Sequence, residues 1–161
     1  MEIYLLRHAI AENAGPGQAD SQRALTGEGR EKLGRVLKRA RAAGVKPGLI
    51  LSSPYRRALE TAAIAAQALE YRGEVERASA LEPGASPHDA WEEIRARKSE
   101  GALLLSSHEP LMSALAAFLL ASPALAIDMK KAALVRVDCD RFGPRPQGLL
   151  KWMITPATAA E

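Results

Sequence analysis

Ile3-Tyr4-Leu5-Leu6 runs directly into Arg7-His8, and this passage from an apolar run to a charged pair decides how the chain reads. Two later stretches repeat it. Leu49-Ile50-Leu51 leads into Ser52-Ser53-Pro54-Tyr55-Arg56-Arg57, and Leu103-Leu104-Leu105 leads into Ser106-Ser107-His108-Glu109-Pro110. Short apolar runs bounded by turn signals read as strands buried on both faces, as in a parallel sheet. In such a sheet the C-terminal strand ends lie along one edge, where ligands bind. Residues about fifty positions apart in sequence then meet in space. Two arginines and two histidines converging there make a phosphate site with a nucleophile built in.

Helical patterns separate the runs. Thr26 is placed to cap a helix from about Gly27 to Ala43, in which Leu33, Val36, Leu37 and Ala40 form an apolar face that Gly44 ends. Pro47-Gly48 turns the chain into the second strand. Ser53 reads as the cap of the next helix, with Pro54 at its first position and Leu59, Ala62, Ala63, Ala66 and Leu69 turned inward. A short, weakly signalled strand near Glu74 to Arg77 follows. Ser86-Pro87 opens a third helix containing Trp91 and Ile94. Pro110 opens a fourth, and the apolar stretch Leu111 to Ile127 reads as a buried helix. Near the end, Ala133, Val135 and Val137 alternate with Leu134, Arg136 and Asp138. After a loop with Gly143, Pro144, Pro146 and Gly148, Leu150, Trp152 and Ile154 recur at period two. These two strands are expected to pair as an antiparallel hairpin at or near the sheet edge. The expected fold is α/β, a mostly parallel central sheet flanked by helices on both faces, with one domain over residues 1–161.

Composition narrows the function classes. Of 161 residues, 47% are hydrophobic and 25% charged, as in an ordinary soluble globular protein. The net charge is only +3, although the sequence pI is about 9.2. Arg35, Lys38, Arg39 and Arg41 ride one helix, and Arg95, Arg97 and Lys98 another, so the basic residues read as solvated faces. No basic stripe is interleaved with aromatics, which argues against a nucleic-acid partner. Cys139 stands alone, so there is no intrachain disulfide and no thiol-rich zinc site. With one Cys and three His, no metal site is expected. Glu2, Arg7 and His8 interrupt the first apolar run too early for a signal peptide. Ser113, Ser122 and Pro123 break the 111–127 stretch, already short for a membrane span. A cytoplasmic protein with no membrane partner is expected.

The candidate chemistry centres on His8. A neutral imidazole attacks phosphorus well when its second nitrogen is held by an acceptor. Arg7 beside it supplies forked donors for phosphate oxygens. Arg57, near the start of a helix whose side chains lean back toward its N-terminus, can reach the same strand edge. That helix start also favours an anion. Taken singly, each has a plainer reading: Arg57 as a solvated arginine, His108 as a hydrogen-bonded structural histidine. His88, in a helix start, reads as exposed and inert.

Together the motifs carry a resemblance. Leu6-Arg7-His8-Ala9 resembles the Arg-His-Gly signature of the histidine phosphatase superfamily, which includes the phosphoglycerate mutases. Ser53-Pro54-Tyr55-Arg56-Arg57-Ala58 with Thr61-Ala62 resembles that family's second motif, and Ser107-His108-Glu109-Pro110 its late Gly-His-x-Pro element. The short length, Leu25-Thr26 followed by Gly29, and Trp152 in the closing strand resemble the small SixA-type phosphohistidine phosphatases. The resemblance implies that His8 becomes a phosphohistidine intermediate later hydrolysed by water. It implies that Arg7, Arg57 and His108 hold the phosphoryl oxygens and neutralise charge in the transition state. Arg57 matches better than Arg56 because it directly precedes Ala58. No metal or organic cofactor is implied.

Two departures stand out: Ala9 and Ser107 each replace a more common Gly, where a methyl can crowd a close backbone approach, but neither change removes a charged group, so retained activity is expected. Larger family members use an acid after the third strand as proton donor. Glu82, in Leu81-Glu82-Pro83-Gly84, is the nearest candidate, and Glu12, just past the Arg-His pair, is another. Otherwise each reads as a surface acid. The small branch lacks a dedicated acid, which suits a phosphoramidate better than a phosphate ester. Phosphohistidine on a histidine-phosphotransfer domain is therefore the expected substrate. A small phosphomonoester or nucleotide is the alternative, and a non-catalytic phosphate-binding module a further one.

Overall fold

The structure, a computed structural model, describes residues 1–159. All three apolar runs are strands: β1 (Glu2–Arg7), β2 (Leu49–Ser52) and β4 (Ala102–Ser107). The weakly signalled strand is present as β3 (Val75–Arg77), and the chain closes with β5 (Leu134–Asp138) and β6 (Leu149–Ile154). They form one sheet in the order β3-β2-β4-β1-β5-β6. β4 pairs in parallel with β1 and with β2, placing Leu105 beside Leu5 on one side and Leu51 on the other. β3 pairs in parallel with β2. β5 runs antiparallel to β1, and β6 antiparallel to β5, so the hairpin forms one edge of the sheet.

Four helices cover the two faces: α1 (Gly27–Ala42), α2 (Arg56–Ala68), α3 (Pro87–Arg95) and α4 (Leu111–Leu119). Period-two alternation along each strand divides the core between them. Ile3, Leu5, Leu51, Leu103 and Leu105 pack with Trp91 and Ile94 of α3 and with Leu111 and Leu115 of α4. Tyr4, Leu6, Ile50 and Leu104 pack with Leu33, Val36 and Leu37 of α1 and with Ala62 and Ala65 of α2. Burying a leucine of this kind contributes about 1.5–3 kcal/mol. That is why runs without polar breaks settle in the middle of the sheet.

Helix boundaries follow local chemistry. The Thr26 hydroxyl accepts from Gly29 N at 2.9 Å, capping α1, and Gly44 follows its end at φ 83°. Ser86 caps α3 by accepting from Asp89 N at 3.1 Å. Two expectations are corrected. α2 starts at Arg56 with Tyr55 as its cap residue, while the Ser53 hydroxyl accepts from Tyr55 N at 3.2 Å. α4 stops at Leu119, well short of Ile127. Ala121 turns to φ 54°, Ser122 N donates back to Ala117 O at 3.0 Å, and Pro123 disfavours helical backbone before it. Among the described residues, no helix is long and apolar enough to cross a membrane.

Because β4 lies between β2 and β1, the ends of the three apolar strands stand side by side. The segments His8-Ala9, Ser53-Pro54-Tyr55 and His108-Glu109-Pro110 therefore emerge together.

Candidate active site

His8 is the first residue past β1. Its amide donates to Ser107 O of β4 at 2.9 Å, and its carbonyl accepts at 3.2 Å from N of Ala132, in the turn before β5, so the backbone is held from both sides. The imidazole Nδ1 lies 2.7 Å from the carbonyl oxygen of Ala9. A carbonyl only accepts, so Nδ1 carries the proton and the lone pair is left on Nε2. Burial pushes the His8 pKa down to about 4 against the raising effect of the Ala9 bond, and Arg57, Arg7 and Lys131 push it in the same direction as burial. His8 is thus an uncharged imidazole at neutral pH.

Arg57 enters from the first turn of α2. Its carbonyl accepts from the Thr61 hydroxyl at 2.7 Å, and that hydroxyl in turn accepts from Ala9 N at 3.1 Å. Thr61 thereby ties the helix to the residue whose carbonyl orients His8. Ser106 adds a second tie, its hydroxyl donating to Ala58 O at 2.8 Å. The Arg57 guanidinium lies 5.1 Å from the Tyr55 ring centre, a cation–π arrangement.

His108 closes the group. Its ring centre is 5.2 Å from that of His8, with the planes tilted by 60°. Nε2 lies 2.8 Å from the Ser53 hydroxyl, and the ring meets Tyr55 edge-on at 5.3 Å. Burial, then His8 and Arg57, push its pKa down to about 3. Arg7 is held by Nη1 donating to Met129 O at 2.9 Å. Three buried nitrogens of this group have no hydrogen-bond partner among the described residues: Arg7 Nε, Arg57 Nε and His108 Nδ1. Unsatisfied buried polar atoms cost about 1–3 kcal/mol each. A cluster of them beside two guanidinium groups fits an oxyanion.

Among the described residues, neither candidate proton donor forms a side-chain hydrogen bond or ion pair with this group. Glu12 is exposed; its backbone N donates to Ala24 O at 2.8 Å, and its carbonyl accepts from Arg23 Nε at 2.7 Å. Glu82 is half-buried and lines a cleft shared with Asp89, Glu92 and Glu93. Its neighbour Leu81 is tied to the site through the Ser107 hydroxyl, which donates to Leu81 O at 2.6 Å. His88 is exposed, as expected. The Ala9 methyl is fully buried and packs into the core on the α1–α2 face.

Asp20 is the residue that sequence reading missed. It begins a short 3-10 turn, Asp20–Gln22, inside the stretch Asn13 to Gln22, whose Gly15, Pro16 and Gly17 read as a surface loop. Arg57 donates from Nη1 to the Asp20 carbonyl at 2.9 Å and from Nη2 to its carboxylate at 3.1 Å. Arg23 also donates to that carboxylate, at 3.0 Å. Hydrogen bonds from Arg23 and then Arg57 hold the Asp20 pKa below the usual carboxylate range. Ser53 and Thr61 were legible as members of the second motif, but not their hydrogen bonds to His108 and to Ala9 N.

With this geometry in view, similarity to known proteins can be placed. The model of the histidine phosphatase superfamily (branch 1) matches residues 3–82, a span that contains Arg7, His8 and Arg57. No curated protein matches the chain. Among solved structures, the protein histidine phosphatase SixA complexed with tungstate is 24% identical at a TM-score of 0.85, with 98% of each chain covered. A mycobacterial glucosyl-3-phosphoglycerate phosphatase is 20% identical at a TM-score of 0.68, covering 93% of this chain and 96% of its own. An Escherichia coli protein assigned as an alpha-ribazole-5'-P phosphatase is 20% identical at the same TM-score, covering 97% of this chain and 98% of its own. These likenesses establish a shared fold. With the family match over its first half and a mostly parallel sheet of the phosphoglycerate mutase-like kind, the chain belongs to the histidine phosphatase superfamily.

Proposed function

We propose that the protein hydrolyses phosphohistidine carried on another protein, of the histidine-phosphotransfer type, through a covalent phosphohistidine on His8. The observation that carries this reading is the 2.7 Å bond between His8 Nδ1 and the Ala9 carbonyl, which leaves Nε2 unprotonated and aimed away from its holder. Nε2 attacks phosphorus, and the P–N bond to the substrate imidazole breaks as the new P–N bond forms. The departing imidazole takes a proton from solvent. Water then attacks the phosphorus of phospho-His8, its oxygen joining phosphorus as the P–N bond breaks, which yields orthophosphate and free His8. Arg7, Arg57 and His108 surround the phosphoryl oxygens and offset the charge that spreads over them in the transition state.

Two features favour a protein-borne phosphoramidate. At the site edge, the connections 8–26 and 78–86 carry only short turns, so among the described residues no helical subdomain roofs the site. Asp20, the carboxylate that touches the site, is held ionised by two arginines and is a poor acid. An alkoxide leaving group needs such an acid far more than an imidazole does.

Exposure to a phosphohistidine protein should leave an acid-labile, base-stable phosphoryl label on the wild-type chain. His8→Ala should lose both label and turnover, and phosphohistidine should exceed aryl and sugar phosphates in kcat/KM. Turnover retained by a clean His8→Ala preparation rejects the nucleophile. Faster hydrolysis of a small ester favours the phosphomonoester reading instead, and tight phosphate binding without turnover favours a binding module.

A further inference from the structure

A second cationic feature lies next to the site. A recess of about 540 Å³ is lined by Arg7, Lys32, Arg35, Lys130 and Lys131, with no carboxylate among the described lining residues. Ile10 and Pro156 contribute to an apolar wall. Arg7 therefore faces both this recess and the phosphoryl site. Lys131 stands close enough to His8 to disfavour its protonation, and the next residue, Ala132, donates its amide to the carbonyls of Arg7 and His8. The recess is thus joined to the catalytic corner by backbone as well as by a shared guanidinium.

Its cations are not equally occupied. Lys32 is paired with Glu28 and Lys130 with Asp128. Arg35, one helical turn from Lys32 on α1, has a buried Nε without a hydrogen-bond partner. Like charges gathered around a low-dielectric wall repel one another, and an anion seated among them relieves that repulsion. A recess of this size admits a carboxylate or phosphate together with the carbon skeleton that carries it.

We infer that this recess is an anion subsite, which takes a second negative group carried by the leaving portion of the phosphorylated substrate while Arg7 bridges the two. The inference rests on the phosphatase reading above and adds to it a substrate class: a phosphoryl compound with a further carboxylate or phosphate nearby. On a protein the second group is an acidic side chain beside the phosphohistidine; on a small ester it is another acid on the same molecule.

The test compares kcat/KM for phosphohistidine peptides with Glu or Gln flanks, and for carboxyphenyl phosphate against phenyl phosphate. Partly exposed ion pairs are worth about 2–5-fold each, so wild type should prefer the anionic member by roughly ten-fold. Arg35→Gln/Lys131→Gln should bring that ratio close to one, and added salt should shrink it. A preference confined to the peptides identifies a protein source, and one confined to the aryl esters a small-molecule source. Equal rates in wild type, or a preference that survives the double substitution, overturn the subsite. Calorimetric binding of methylenediphosphonate against methylphosphonate separates this from a failure of catalysis. Tighter binding of the bis-anion, lost in Arg35→Gln/Lys131→Gln, supports the recess even if no substrate turns over, and equal affinities reject it.

Discussion

The free lone pair on His8 Nε2 is set by two neighbours that carry no charge. The Ala9 carbonyl fixes the tautomer, and the Thr61 hydroxyl fixes Ala9 by accepting its amide. The charged neighbours act differently: they make protonation of His8 unfavourable and so keep its Nε2 lone pair free. Asp20 opposes the site's purpose, because its carboxylate occupies a guanidinium face that a phosphoryl oxygen would use. Its side chain is 58% exposed, so the pair is screened by solvent and can be displaced. Asp20→Asn should therefore tighten inhibition by inorganic phosphate by about 2–5-fold. Weaker inhibition would show that Asp20 serves chiefly to hold Arg57 in place.

At the scale of elements, the site depends on how closely α1 and α2 approach the segment that follows β1. Gly29, in the first turn of α1, lies against the backbone of Ile10, and a Cβ built there would run into the Ile10 carbonyl. That carbonyl also accepts from Thr26 N at 2.9 Å, so the helix start and the segment after His8 are one packed unit. Gly29→Ala should push α1 outward and loosen that segment. The expected cost is about 1–3 kcal/mol in urea unfolding, with a larger loss of kcat than a surface Gly34→Ala control. Gly34 has open space where its Cβ would be. Equal stability and activity in both variants would mean that the contact is not needed. The Arg57 helix shows a related economy: Ser53, freed from capping duty, stands beside His108 instead.

For the whole molecule, burying two uncharged histidines couples folding to pH. His8 and His108 have folded pKa values of about 4 and 3, both below the ordinary 6.5. Unfolded, they take up protons near pH 6.5; folded, they do not until pH 4 or below. Between those values the unfolded chain binds more protons, so stability rises with pH across that window. It is complete above pH 6.5 and declines as pH falls toward 4. The urea midpoint should therefore drop between pH 7 and pH 4.5, and His8→Asn/His108→Asn should flatten that drop. A wild-type midpoint unchanged over this interval would contradict the buried, neutral state of both rings.

The apolar runs, the helical periodicities and the turn residues determined most of the architecture directly. Strands with no polar break have to be covered on both faces, and each was followed by the charged residues that end at one edge. Arg7, His8, Arg57 and His108 were legible because each sits immediately past such a run or in the first turn after it. Asp20 and Lys131 were not, since a loop without periodicity carries no signal of where its side chains fall, and Arg35 read only as part of a solvated helix face. The partnering of Ser53 with His108 was hidden for a related reason: a serine before a proline reads as a cap until neighbouring strands bring an imidazole to it. The end of α4 depended on the left-handed turn at Ala121, which apolar composition does not encode. Local pattern thus decides which segments become strands and helices. Only the packed sheet decides which segments, 37 to 125 residues apart, share hydrogen bonds.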